Sequence, residues 1–169
     1  MFAFIATAPF IITEELHRSL HEVGLSLGLV MAGAALGSTI TRHLSHVEKP
    51  IRILMAGNGL SITSSMLVLV VVTTDAMMLW NVLGLVFTFA IGAGAANPIS
   101  LSLAFHATDA QRTGSGADLY GFLQMAVGAV CTLSLGLFAN PALATACVLV
   151  TATSLSLFAN RVAMSAVEK

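Results

Sequence analysis

Tyr120 and Gln124 are four positions apart, so a helix would carry both on one face. A phenol and a carboxamide there can donate and accept hydrogen bonds to a ligand. Phe122, one position off that face, offers a ring for stacking on an aromatic ligand. Asn58, Asn81 and Asn97 lie in other apolar runs, where an amide facing lipid is costly without a partner. Two roles are open to these groups: hydrogen bonds between helices, or the lining of a polar cavity that contacts a substrate. On the second role, Gln124, Tyr120, Phe122 and Asn58 are the candidate substrate-binding residues.

Ionisable side chains are missing from the centre of every apolar run. Such groups mark proton relays and ion pathways inside membranes, so their absence argues against a complete proton-coupled pump within this chain. Asp118 comes nearest, one turn into its helix. There Ser115-Gly-Ala-Asp118 reads as a capping box, the serine accepting from first-turn amides and the carboxylate favoured by the helix dipole. His17 and His21 stand at metal-ligand spacing beside Glu14 and Glu22, without a third ligand, and no metal site is assigned. His43 and His46 join the surface charge of a basic connection. Cys131 and Cys147 sit inside apolar runs and read as small packing residues. With no nucleophile–base pair and no glycine-rich phosphate loop, neither an enzyme nor a cofactor is expected.

The elements that position these groups follow from hydropathy. The 169 residues are 57% hydrophobic and 9% charged, with a mean hydropathy of +0.93, against about 25% charged in a soluble domain. Five apolar stretches occupy about 23–41, 51–74, 76–105, 115–139 and 141–160. Each is long enough for a hydrocarbon core of about 30 Å at about 1.5 Å rise per residue. The opening run, 1–13, would reach only about 20 Å as a helix. It either begins upstream of this chain or does not span. The start lacks the basic residues of a signal peptide. The fold class expected is an all-α membrane protein, a single transmembrane domain over 1–169 built as a six-transmembrane-helix bundle.

Charge falls in the gaps. Arg42, Lys49, Arg52, Arg112, Arg161 and Lys169 occupy alternate connections or the C-terminal end, and Arg18 alone lies on the other side. By the positive-inside rule both termini are cytoplasmic, provided the first run enters the membrane as a sixth helix. Pro50 suits the first turn of a helix, Asp75 marks a tight external turn and Trp80 an interfacial position. Asn97-Pro98 predicts a kink, because the ring removes a backbone hydrogen bond. Asn140-Pro141 makes the last external turn. Gly24/Gly28 and Gly33/Gly37 form two GxxxG pairs, and Gly121, Gly128 and Gly136 recur near one face of the fifth run, which predicts close helix packing. No basic patch of nucleic-acid type is present.

The segment Gly114-Ser-Gly-Ala-Asp-Leu-Tyr-Gly-Phe-Leu-Gln124 resembles G-T-A-S-A-L-x-G-F-L-Q, which opens the eleventh helix of the Bcr/CflA drug-resistance branch of the major facilitator superfamily. Gly114, Leu119, Gly121, Phe122, Leu123 and Gln124 match it. Ala8-Pro9-Phe10, Gly92 and Asn97-Pro98 support the resemblance. Gly37-Ser-Thr-Ile-Thr-Arg42 is similar to the degenerate second copy of the superfamily's G-x-x-x-D-R loop motif. Two residues depart from the pattern: Thr41 stands in place of the loop-motif aspartate, and Asp118 replaces a small residue.

Over essentially the whole chain the resemblance is to the C-terminal half, helices seven to twelve, of such a transporter. It implies half of a secondary active transporter in the bacterial inner membrane, a multidrug or small-molecule efflux carrier working by proton antiport once two halves combine. The coupling carboxylates would lie mainly in the other half. Helices one, two, four and five would line the cavity, with three and six supporting them. The implied partners are the lipid bilayer, a drug-like substrate, and a complementary N-terminal half or a second copy. The competing expectation is a truncated, non-transporting membrane fragment that only associates with other helices.

Overall fold

A computed structural model describes residues 2–10, 12–13, 19–74, 78–106, 113–135 and 140–167. They form six helices and no strand: α1 (Phe2–Phe10), α2 (Leu20–Leu44), α3 (Pro50–Thr73), α4 (Leu79–His106), α5 (Thr113–Leu135) and α6 (Pro141–Val167). The five helices α2 to α6 are long and apolar enough to cross a membrane. α1 has nine residues, about 14 Å at helical rise, which is short of a hydrocarbon core. The all-helical membrane class therefore stands, with five helices of spanning length among the described residues. α1 packs inward all the same, burying Phe4 and Ala8, with Ile12 just beyond it, against Val30, Val86 and Ala146.

Helix starts follow local chemistry. Pro50 takes the first position of α3, where its missing N–H costs nothing. The Asn140 side chain accepts a hydrogen bond from the Leu143 amide at 2.9 Å and caps α6. α5 differs from the expected capping box. It begins at Thr113, so Ser115 lies within the first turn and Asp118 is an exposed second-turn residue. A residue with helical backbone cannot act as the extended N-cap. Asp75, Asp109, Arg112, Gly136 and Lys169 lie outside the described residues.

α4 is the spine of the bundle, packed against α2 on one side and α3 on the other. Lipid gives helices no hydrophobic drive to associate, so close approach and interhelical hydrogen bonds must hold them together. Small residues make both contacts. A Cβ at Gly37 would collide with the Ile91 carbonyl, and one at Gly94 with the Ala34 carbonyl. On the α3 side, a Cβ at Gly92 would lie 2.6 Å from the Gly57 carbonyl and one at Gly57 2.8 Å from the Gly92 carbonyl. Of the two GxxxG pairs in α2, Gly33/Gly37 meets α4, whereas Gly24 and Gly28 face open space. Gly121 of α5 also faces open space, contrary to the close packing expected there. The same motif packs only where a neighbouring helix comes close, as α4 does with Phe87 and Ala90 against Gly33 and the Ile91 carbonyl against Gly37.

Hydroxyls supply the remaining links. Thr41 is buried and donates to the Ala95 carbonyl at 2.9 Å, joining α2 to α4. The residue that departs from the loop motif's aspartate thus has a packing role. Ser65 meets Thr153 at 3.1 Å between α3 and α6, and Thr7 meets Thr145 at 2.7 Å between α1 and α6.

Candidate functional site

α5 stands off from this packed core, touching α1, α4 and α6 sparsely. Between it and the core lies a cavity of about 770 Å³, a volume within the range of small-molecule sites. Ile5 of α1 and Met31 and Ala34 of α2 form part of the wall. α4 contributes Phe89, Ala93, Gly94 and Asn97. From α5 come Tyr120, Leu123, Gln124, Val127, Gly128 and Cys131, and from α6 Val148, Leu149 and Ala152. The α5 residues recur at steps of three and four, one helical stripe.

Polar groups are few and converge at one place. The Tyr120 hydroxyl donates to Asn97 Oδ1 at 3.0 Å, tying α5 to α4 beside Pro98. Pro98 has no N–H to offer the Gly94 carbonyl one turn back, and Gly94 also lines the cavity. Gln124 is open to the cavity, and among the described residues its carboxamide has no hydrogen-bond partner. A mostly apolar chamber with a free amide and a phenol at one wall can hold an apolar or aromatic molecule and orient it by one or two hydrogen bonds.

The four candidate residues do not come together. Tyr120 and Gln124 share the cavity wall. Phe122 points away, 70% exposed on the outer side of α5, so it cannot stack on a molecule held inside. Asn58 is buried between α3 and α6, its Oδ1 3.4 Å from Ser156 Oγ and its Nδ2 without a partner, away from the cavity wall. Of its two possible roles, the structure gives Asn58 the interhelical one. Asn97 belongs to the site. Its signal in sequence was an amide beside an intramembrane proline. Leu123, Val127 and Cys131 follow from Tyr120 and Gln124 by helical spacing alone.

Cys131 and Cys147 are free thiols, the first on the cavity wall. The cavity draws on α1, α2, α4 and α5 as well as α6, while α3 lies behind α4 and takes no part. Of the proposed metal-spacing group, His17 and Glu14 lie outside the described residues. Comparison with protein-family models, curated proteins and solved structures gives no match.

Proposed function

We propose that this chain is half of a secondary active transporter, resembling helices seven to twelve of a Bcr/CflA-type major facilitator. In this reading it serves multidrug or small-molecule efflux by proton antiport once a second half, or a second copy, completes the carrier. The observation that carries the reading is the unpartnered Gln124 carboxamide on the wall of a large, mostly apolar chamber. A structural amide in lipid would be expected to find a partner, as Asn97 does in Tyr120. The uncharged span centres accord with coupling carboxylates carried by the other half. The basic residues at Arg42, Lys49, Arg52 and Arg161 accord with cytoplasmic termini in a bacterial inner membrane.

Binding and transport separate in experiment. A cationic aromatic dye titrated onto the purified chain in lipid nanodiscs should bind, and Gln124→Leu should change which dyes bind best. In liposomes under a pH gradient the chain alone should give no flux above empty vesicles. Flux should appear on co-reconstitution with a six-helix half bearing an intramembrane carboxylate. Absence of dye binding by the folded chain would favour the non-transporting fragment.

A further inference from the structure

A second cavity, of about 410 Å³, opens where α2 ends and α3 begins. Its wall has two characters. Pro98, Ile99 and Leu103 of α4 make its apolar part, and Ser38, Thr41, Arg42 and Ser45 at the end of α2, with Ser102 of α4, make the polar one. Pro50 completes the rim. Arg42 is its cation, and among the described residues no carboxylate pairs with it. The ion pair of this connection joins Arg52 to Glu48 at 3.2 Å instead, and the hydrogen bond at Arg42 is one its backbone carbonyl accepts from Ser45. At the adjoining start of α3 the N-cap Lys49 forms no side-chain cap and no acidic residue occupies the first turn; the Glu48 carboxylate just before it is engaged by Arg52. The amide end of that helix therefore adds positive potential beside the guanidinium.

We propose that this cavity binds the phosphate headgroup of an anionic phospholipid. The Arg42 guanidinium is a planar fork of donors that matches phosphate oxygens. The Ser38 and Ser45 hydroxyls are exposed and bonded only to carbonyls of their own helix, at 2.9 Å each, so they can turn toward a headgroup. Pro98, Ile99 and Leu103 give the upper acyl chain an apolar surface, and Leu103 is itself exposed. The position selects a lipid over a soluble anion, because the cavity lies at the ends of two helices of spanning length and Pro98, Ile99 and Leu103 make part of its wall apolar. Basic pockets between membrane helices at a surface are where anionic headgroups bind. The proposal does not depend on transport.

Native mass spectrometry of the detergent-purified chain tests it, with phosphatidylglycerol, phosphatidylcholine and inorganic phosphate as probes. Phosphatidylglycerol should be retained in preference to phosphatidylcholine. Arg42→Gln should weaken that retention roughly tenfold, the scale of one charge-assisted hydrogen-bond pair, while Arg52→Gln leaves it unchanged. Ser38→Leu fills the cavity without altering charge and should weaken retention as well, which keeps the test valid if Arg42→Gln fails to fold by circular dichroism. Equal retention of the two lipids would overturn the proposal, as would equal loss in both arginine variants. Displacement by an equal concentration of inorganic phosphate would make this a soluble-anion site and overturn the lipid reading.

Discussion

α4 and α5 have similar lengths and are both apolar, yet 44% of the spanning window of α4 is buried against other helices and only 6% of that of α5. Small residues at the contact explain how closely α4 is packed. α4 presents Gly92 to α3 and Gly94 to α2, each opposite a small residue, and backbones meet. α5 presents Leu123, Val127 and Cys131 toward the cavity, where Leu123 and Val127 remain more than half exposed. Its outer face carries Leu119, Phe122, Met125, Val130 and Leu133, all more than half exposed. One region builds a rigid frame. The other builds a chamber and leaves a broad face for lipid or for further helices.

Substitutions can break that contrast. The largest effect is expected at Gly37, where a side chain would meet the Ile91 backbone carbonyl. Gly37→Leu must push α2 from α4 and should cost about 3 kcal/mol or more, read as a fall in the thermal unfolding midpoint in detergent. If stability were unchanged, the close α2–α4 approach would be wrong. Next comes Tyr120→Phe, which removes the hydroxyl bonded to Asn97 and should cost about 0.6 kcal/mol, the mean for interhelical hydrogen bonds in membranes. Asn58→Leu removes the orphaned Nδ2 at nearly constant volume. It should leave dye binding untouched and stability equal or slightly higher. Loss of dye binding would return Asn58 to the site. Gly121→Ala should act in the opposite direction to Gly37→Leu, raising stability by up to about 1 kcal/mol, because the new methyl meets nothing.

The helices themselves were legible because hydropathy marks the membrane slab and prolines mark starts. α3 and α6 open on Pro50 and Pro141, as the apolar runs indicated. Helix ends were less legible. α2 continues past Thr41 to Leu44, and α6 past Asn160 to Val167, because helical backbone does not stop where apolar sequence does. Glycine motifs were ambiguous for a different reason. Gly24/Gly28 and Gly33/Gly37 are alike in sequence, and only the presence of Phe87, Ala90, Ile91 and Ala95 of α4 across the second pair decides which one packs. The same limit governed the site. The stripe through Tyr120 and Gln124 was visible from spacing, but the pairing of Tyr120 with Asn97 joins residues 23 apart in sequence. Whether an amide such as Asn58 faces a cavity or a neighbouring helix depends on rotation about the helix axis, which near-uniform apolarity leaves unmarked.

Cys131 offers the most direct measurement, because it lies on the cavity wall. In a Cys147→Ala background, the rate of Cys131 modification by a small membrane-permeant maleimide is followed with and without a saturating aromatic dye. If the chamber beside α5 is the binding site, bound dye should slow the reaction, and Gln124→Leu should reduce that protection for dyes it binds less well. An unchanged labelling rate with dye demonstrably bound would place the binding elsewhere and contradict the assignment of this cavity.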